Sequence, residues 1–201
     1  KVNSVIGIVK AYVTRVGEGP FPSEQGSYQE AKDEKRGDSV TKEELEKANS
    51  GDEYSAGMVL RRQGREYGTT TGRPRRCGWF DVVAAKYAIM VNGLTSIVIT
   101  KLDVLNNFSK IKICVGYELD GKKIDTFPSQ LSDLEKVKPV YEEMDGWNDD
   151  LTRVTSFKAL PDNAQKYLKR LEELIGVKIS IVSVGPARAQ KIILDKGVLF
   201  S

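Results

Sequence analysis

Runs of β-branched residues predict the strands of this chain. They lie at residues 5–14, 95–100 and 178–183, and short apolar runs of this kind are typical of buried strands. A hairpin is also predicted, with strands at residues 111–118 and 122–127 around an Asp-Gly turn. The strand-forming segments therefore extend over most of the chain.

Helices are predicted where a capping residue precedes apolar positions at helical spacing. Thr41 and Glu44 match a capping box that opens a short helix. Asp81 is a good N-cap for a helix over residues 82–92, and a third helix over residues 162–175 lies between a proline and a glycine. Because strands and helices alternate, the sequence predicts an α/β fold.

Residues 24–57 differ in character from the rest of the chain. Between residues 24 and 53 there are ten acidic and five basic residues, with few apolar positions. Charged side chains are seldom fully buried. The composition therefore predicts a long charged surface insertion at residues 24–57, to which we assign no functional role.

The overall composition fits a soluble, folded chain of modest charge. The 201 residues are 40% hydrophobic and carry a net charge of +3, which does not indicate a nucleic-acid partner. Cys77 and Cys114 are too few for a disulfide framework, which fits a reducing compartment. No apolar run reaches the roughly 20 residues of a membrane span, so a cytoplasmic protein without a membrane partner is expected.

Two absences affect the chemistry that can be expected. The chain begins at Lys1 rather than at an initiator Met, so we expect it to start inside a longer protein or to be processed. It also contains no histidine, the commonest general acid or base at neutral pH. Proton transfer would have to use carboxylates, lysines or residues outside this segment.

The stretch from Arg61 to Arg76 is the first candidate site. It contains six arginines and the run Thr-Thr-Thr-Gly at residues 69–72. An arginine fork matches carboxylate and phosphate oxygens, and a glycine lets the backbone approach a ligand. A solvated basic loop is the alternative, but solubility alone does not require a glycine-hinged arginine fork. We predict a loop that binds small anions.

A second candidate site is Thr100-Lys101-Leu102-Asp103, which directly follows a predicted buried strand. It resembles the Asn-Lys-x-Asp element of guanine-binding GTPases, with Thr in place of Asn. One carboxylate can accept hydrogen bonds from both the ring N–H and the exocyclic amine of guanine, and the lysine stem can cover the base. A surface Lys/Asp pair is the alternative interpretation of so short a match.

Two turns are further candidates. Ser183-Val184-Gly185-Pro186 follows the last predicted strand, and residues 15–22 form a loop rich in Gly and Pro. Open α/β sheets usually bind ligands beyond the ends of their strands. A plain connector explains the loop at residues 15–22 equally well, and a motif like that at residues 183–186, taken alone, is more often just a turn.

Together these motifs resemble adenylosuccinate synthetase. The resemblance covers nearly the whole chain in the correct order, and residues 24–57 are its least familiar part. It implies that residues 1–201 form part of a large mixed central sheet flanked by helices. The matching blocks are residues 10–22, 64–81, 92–95, 100–105, 139–142, 146–147 and 183–186.

The family joins IMP to L-aspartate at the expense of GTP, forming adenylosuccinate, GDP and phosphate in the first committed step from IMP to AMP. The resemblance implies binding residues for each substrate. Those for L-aspartate are Thr69, Thr70, Thr71, Gly72, Arg73, Pro74 and Arg75. Those for IMP are Val16, Gly17 and Arg73. Those for GTP are Arg75, Lys101, Leu102, Asp103, Ser183, Val184 and Gly185.

The chain also departs from the family pattern. In the family, the N-terminal half carries a Gly-Asp-Glu-Gly-Lys phosphate loop, the catalytic aspartate, the Mg²⁺ ligands and a catalytic histidine. This chain has no such loop and no histidine. The resemblance therefore implies a C-terminal part of a homodimeric enzyme, without catalytic residues and inactive alone. A basic RNA-binding module near Tyr67, Trp79 and Phe80, or a non-catalytic remnant, are the alternative hypotheses.

Overall fold

The computed structural model describes residues 2–37, 39–195 and 197. Its strands are β1 (Ile6–Lys10), β2 (Val13–Arg15), β3 (Arg76–Gly78), β4 (Phe80–Asp81), β5 (Ser96–Thr100), β6 (Lys110–Leu119), β7 (Lys122–Ile124), β8 (Lys138–Asp145), β9 (Lys178–Ser183) and β10 (Lys191–Ile193). Its helices are α1 (Tyr28–Asp33), α2 (Lys42–Asn49), α3 (Glu53–Gln63), α4 (Val82–Asn92), α5 (Leu131–Leu134) and α6 (Asp162–Ile175). Short 3₁₀ helices lie at Leu102–Leu105, Leu151–Arg153 and Phe157–Ala159. The predicted α/β class is confirmed.

A mixed four-stranded sheet has the order β1-β5-β9-β10. Strands β1, β5 and β9 run parallel, and β10 pairs antiparallel with β9. Helix α6 buries Leu168 and Leu171, and its Tyr167 hydroxyl donates a 2.7 Å hydrogen bond to the carbonyl of Ala11, just beyond β1. Because β1, β5 and β9 run parallel, their carboxyl ends lie at one edge of this sheet.

A second sheet is built around the long strand β6. It pairs parallel with β4 and antiparallel with β7 and β8, while β2 and β3 form a separate two-stranded ribbon. Asp120 and Gly121 reverse the chain between β6 and β7 with φ angles of 50° and 76°. The predicted hairpin is confirmed at this turn, although β7 ends at Ile124 rather than at residue 127.

The single buried strand predicted over residues 5–14 is wrong in two respects. The structure breaks it at Ala11 and Tyr12, which are both buried, and continues it as β2 in another sheet. The break turns Tyr12 inward, where its hydroxyl donates to Glu66. Strand β1 is also an edge strand among the described residues, and its Ile8 is 75% exposed.

The predicted helix boundaries are confirmed by their capping contacts. Thr41 and Glu44 form the capping box of α2. Asp81 accepts a hydrogen bond from the amide of Ala84 at the start of α4, and Gly93 ends that helix with φ 59°. Helix α6 ends in the same way at Gly176, with φ 77°. The helix boundaries agree with the prediction because capping residues satisfy backbone groups that the helix itself leaves unpaired.

Strands β8 and β10 were not expected from the sequence. Strand β8 contains a proline and three acidic residues, so its intrinsic preference for strand is low. Its pairing with β6 extends from Lys110↔Asp145 to Glu118↔Lys138. The strand is therefore formed by its partner rather than by its own apolar pattern.

Residues 24–57 are not an exposed insertion throughout. Half of the residues of α2 are exposed, but Gln25, Glu34 and residues 55–57 of α3 are buried. The amide of Gln25 donates to the carbonyl of Cys77, and Gly57 lies so close to the Gln25 carbonyl that a Cβ would meet it at 2.2 Å. The expectation of a solvated excursion fails here because α3 packs into the core.

The main hydrophobic core joins both sheets and the helices. It includes Val59 and Leu60 of α3, Ile99 of β5 and Leu171 of α6, each with at most 1% exposure.

Both cysteines are buried free thiols whose pKa burial raises to about 12. In the described part of the chain, the helices are too short or too polar to cross a membrane.

Candidate functional site

The ends of three parallel strands bring several candidate segments to one edge. Lys10 at the end of β1 pairs in register with Thr100 at the end of β5, and Ile99 of β5 pairs with Val182 of β9. The segments at 101–103 and 183–185 therefore begin side by side. This edge, beyond the carboxyl ends of the strands, is where open α/β sheets place ligands.

Lys101 and Asp103 lie in a constrained turn at this edge. Lys101 has a left-handed backbone with φ 60°, and a 3₁₀ helix starts directly after it. Such a conformation is uncommon for a residue with a side chain and is often found at functional sites. Burial raises the pKa of Asp103, against the effects of its own amide and of Lys101. Leu102 is fully buried, so it can offer a ligand its backbone rather than its side chain.

The turn after β9 is held by its own hydrogen bonds. Ser183 donates from Oγ to the carbonyl of Gly185 at 2.9 Å, and the amide of Val184 donates to Gln190 at 3.0 Å. Val184 is fully buried. The backbone of this turn is therefore fixed beside the Lys101 turn, with Ser183 half-buried and Gly185 buried.

Residues 69–72 form the tip of a small hairpin. Its base is the bridge between Tyr67 and Pro74, closed by a 2.9 Å hydrogen bond from the Gly68 amide to the Arg73 carbonyl. Gly72 has φ 64°, a conformation that glycine adopts readily. The threonine side chains of the tip and that of Arg73 are exposed. The predicted anion-binding loop is thus a surface hairpin with accessible donors.

The six arginines at residues 61–76 do not form one basic surface. Arg61 and Arg62 belong to α3, where Arg61 lies 3.0 Å and Arg62 3.5 Å from carboxylate oxygens of Glu34. Arg76 is buried and donates from Nε to Glu24 at 2.7 Å. The expectation of a continuous arginine loop is therefore wrong. Four of the six arginines, with Arg75 included through its pairing with Glu66, are held in internal ion pairs, which weakens the RNA-binding alternative.

The Val16-Gly17 turn lies beside the end of the arginine segment. Strands β2 and β3 place Arg15 opposite Arg76, and Arg76 donates from Nη1 to the carbonyls of Gly17 at 3.1 Å and Gly19 at 2.7 Å. Val16 is 78% exposed. Because Arg76 is also held by a carboxylate, it fixes the path of this turn next to the hairpin.

Glu66, which the sequence did not single out, connects these segments. Its side chain is fully buried, and Oε1 accepts hydrogen bonds from the Tyr12 hydroxyl at 2.6 Å and from Lys101 Nζ at 2.7 Å. Lys10 Nζ lies 2.8 Å from the same oxygen, and Arg75 Nη1 donates to Oε2 at 2.8 Å. The carboxylate therefore bonds to side chains from both predicted ligand-binding segments.

The protonation of Glu66 follows from these contacts. Burial acts to raise its pKa, but hydrogen bonds from Lys10, Lys101 and Tyr12 outweigh that effect and lower the pKa to about 2. One property of the sequence could have indicated this residue. Glu66 is the single acidic residue in the stretch from Arg61 to Arg76.

Metal-ligating side chains do not cluster among the described residues. Within residues 2–37, 39–195 and 197 there is no group of three Asp, Glu, His or Cys side chains that could hold a metal ion. Mg²⁺ takes oxygen ligands, whereas the oxygens of Glu66 accept from cations and a tyrosine. We therefore assign no metal ligand to these residues.

Comparison with known proteins agrees with these features. Residues 1–192 match the family model of adenylosuccinate synthetase. The chain is 50% identical over 193 residues to the adenylosuccinate synthetase of Caldanaerobacter subterraneus, covering 96% of this chain and 39% of that protein. It is 51% identical over 192 residues to that of Clostridioides difficile, covering 96% and 38%.

A solved structure shows the same similarity. The fully ligated adenylosuccinate synthetase from Plasmodium falciparum superposes with a TM-score of 0.78 at 34% identity, over 96% of this chain and 40% of that one. The chain therefore belongs to the adenylosuccinate synthetase family. It spans about two fifths of the length of the relatives it matches.

Proposed function

We propose that this chain forms the part of a GTP-dependent ligase that holds L-aspartate and the guanine base of GTP. The ligase joins IMP and L-aspartate to give adenylosuccinate, within purine biosynthesis. The observation that carries the proposal is the position of residues 101–103 and 183–185, adjacent at the carboxyl edge of parallel strands in a chain of this family.

The proposed guanine contacts depend on Asp103 and Lys101. The half-buried carboxylate of Asp103 accepts from the ring N–H and the exocyclic amine of guanine, a pair of donors that adenine does not offer. Lys101, with its ammonium group held by Glu66, covers the base with its aliphatic stem. Ser183, Val184 and Gly185 close over the base from the neighbouring strand.

The proposed L-aspartate contacts come from the surface hairpin. Thr69, Thr70, Thr71 and Gly72 offer hydroxyl and amide donors at its tip, and the exposed guanidinium of Arg73 binds a carboxylate. Pro74 fixes the hairpin base, and Arg75 extends toward GTP. Val16 and Gly17, together with Arg73, line the side where IMP binds.

The role of this chain in the reaction is to position substrates. Holding the amine of L-aspartate near the activated six-position of IMP turns an encounter between separate molecules into a reaction within one complex. We assign no proton-transfer or phosphoryl-transfer step to these residues, and we propose that the chain alone is inactive. A homodimer and a Mg²⁺ requirement stay predictions from the family resemblance, and a cytoplasmic location stays a prediction from the composition.

The base-recognition role is tested by exchanging one carboxylate oxygen for an amide. We expect Asp103→Asn in the full-length gene product to reduce the preference for GTP over ITP at least tenfold, because ITP lacks the exocyclic amine that Asp103 contacts. The measurement is kcat/KM for each nucleotide at fixed IMP and L-aspartate. Asp120→Asn, at an exposed hairpin turn, is the control and should leave the preference unchanged. Equal discrimination by Asp103→Asn and wild type would remove Asp103 from the base site.

A further inference from the structure

The buried carboxylate of Glu66 is contacted by side chains from several separate segments of the chain. It follows helix α3 and precedes the hairpin, and its carboxylate is fully buried. The donors around it come from separate places along the chain: Lys10 at the end of β1, Tyr12 in the strand break, Lys101 after β5 and Arg75 after the hairpin. Side chains from all of those segments therefore contact the carboxylate of Glu66.

We propose that Glu66 is a positioning residue that fixes Lys101 and Arg75 relative to each other, and so holds the guanine-binding turn and the aspartate-binding hairpin in register. This inference rests on the proposed function. Glu66 itself is buried beneath these two side chains and acts through them rather than by touching a substrate.

Charge balance supports this role. The side chains of Lys10, Lys101 and Arg75 converge on one carboxylate, so removal of its charge would leave three cations facing each other. Like charges at such separations repel strongly where water is excluded. With Glu66 in place, an excess of positive charge still remains in the cluster. Lys101 and Arg75 are 36% and 34% exposed, so that charge is available to an anionic ligand.

Backbone contacts strengthen the same connection. The amide of Arg75 donates to the carbonyl of Glu66 at 2.8 Å, which closes the hairpin directly beside the carboxylate. Lys101 Nζ donates to the carbonyl of Gly64 at 2.6 Å as well as to Glu66. The hairpin and the Lys101 turn are therefore each attached to residues 64–66 by two hydrogen bonds. A substitution at Glu66 should alter the position of both.

The structure also contains a closely matched carboxylate for comparison. Glu34 is buried, with a side-chain exposure of 2%, and like Glu66 it accepts from a tyrosine hydroxyl, that of Tyr67. Its cationic partners are Arg61 and Arg62 of helix α3, which lie outside the proposed binding segments. The same substitution at Glu34 therefore removes a buried charge that contacts neither Lys101 nor Arg75, although its tyrosine partner lies at the base of the hairpin.

The test compares Glu66→Gln with Glu34→Gln in the full-length gene product, with KM for GTP, KM for L-aspartate and kcat measured for adenylosuccinate formation. For Glu66→Gln we expect both KM values to rise together, each at least tenfold, with a smaller change in kcat. Glu34→Gln should lower thermal stability and leave both KM values within twofold of wild type. Glu66→Asp, which keeps the charge but shortens the side chain, should show an intermediate rise.

Each other outcome has a defined meaning. If wild type is active but Glu66→Gln leaves either KM unchanged, or Glu34→Gln raises both equally, the positioning role is wrong while the proposed function stands. If Glu66→Gln does not fold, Glu66→Asp decides, and unaltered KM values in that variant would overturn the proposal. An inactive wild-type protein would refute the proposed function itself and this inference with it.

Discussion

At the scale of single residues, a few acidic side chains determine which arginines remain available to a ligand. Glu34 and Glu24 hold Arg61 and Arg76 in the interior, while Arg73 stays exposed. The sequence predicts an anion-binding stretch from its composition, but it cannot predict this division. Glu24 and Arg76 are 52 residues apart, and their pairing exists only in the folded chain.

Glu66 gives the stability of the protein a defined dependence on pH. Burial opposes its ionisation, but hydrogen bonds from Lys10, Lys101 and Tyr12 outweigh burial and lower its pKa from 4.5 to about 2. A carboxyl whose pKa is lowered by folding stabilises the native state above pH 4.5 and loses that contribution as the pH falls toward 2. At about 1.4 kcal/mol per unit, the shift corresponds to roughly 3 kcal/mol.

We therefore expect Glu66→Gln to destabilise the full-length gene product by roughly 3 kcal/mol near neutral pH. The difference from wild type should narrow as the pH is lowered below 4.5, because Glu66 of the unfolded wild-type chain then takes up a proton while the folded carboxylate, with its pKa near 2, stays ionised. Urea unfolding of both proteins at several pH values measures this difference. A gap that stays constant down to strongly acidic pH would contradict the assigned ionisation.

At the scale of secondary-structure elements, local caps were predictable and long-range pairings were not. Thr41, Asp81 and Gly176 satisfy backbone groups within a few residues of themselves, so their role is visible in the sequence. Strand β8 depends on β6, and the break after β1 depends on a bond from Tyr12 to Glu66, 54 residues away. Sequence periodicity does not contain that information.

Helix α4 offers a stability prediction at this scale. Asp81 caps the helix through a 3.0 Å hydrogen bond from the Ala84 amide and also accepts from the buried Tyr117 hydroxyl at 2.7 Å. Asp81→Ala removes the cap and leaves the hydroxyl unpaired, which should cost about 2–3 kcal/mol. Asp52→Ala, at the more exposed cap of α3, should cost about 1 kcal/mol. Equal losses in urea unfolding would show that Tyr117 adds nothing to the Asp81 cap.

At the scale of the whole molecule, the described chain combines a fixed edge at the carboxyl ends of its parallel strands with exposed apolar side chains elsewhere. Ile8 on β1 is 75% exposed, and Met90 and Val91 on α4 are 69% and 56% exposed. Glu66 connects the turn at Lys101 with the hairpin at Arg75, so the proposed binding segments have a defined arrangement within this chain.

The central claim is most directly tested by measuring adenylosuccinate formation by the full-length gene product that contains this chain. With IMP, L-aspartate and GTP we expect turnover that depends on all three substrates, far less turnover when ATP replaces GTP, and none with residues 1–201 alone. Chromatographic separation of the product from IMP provides the measurement. Absence of adenylosuccinate from the full-length protein, or equal turnover with ATP and GTP, would contradict the account.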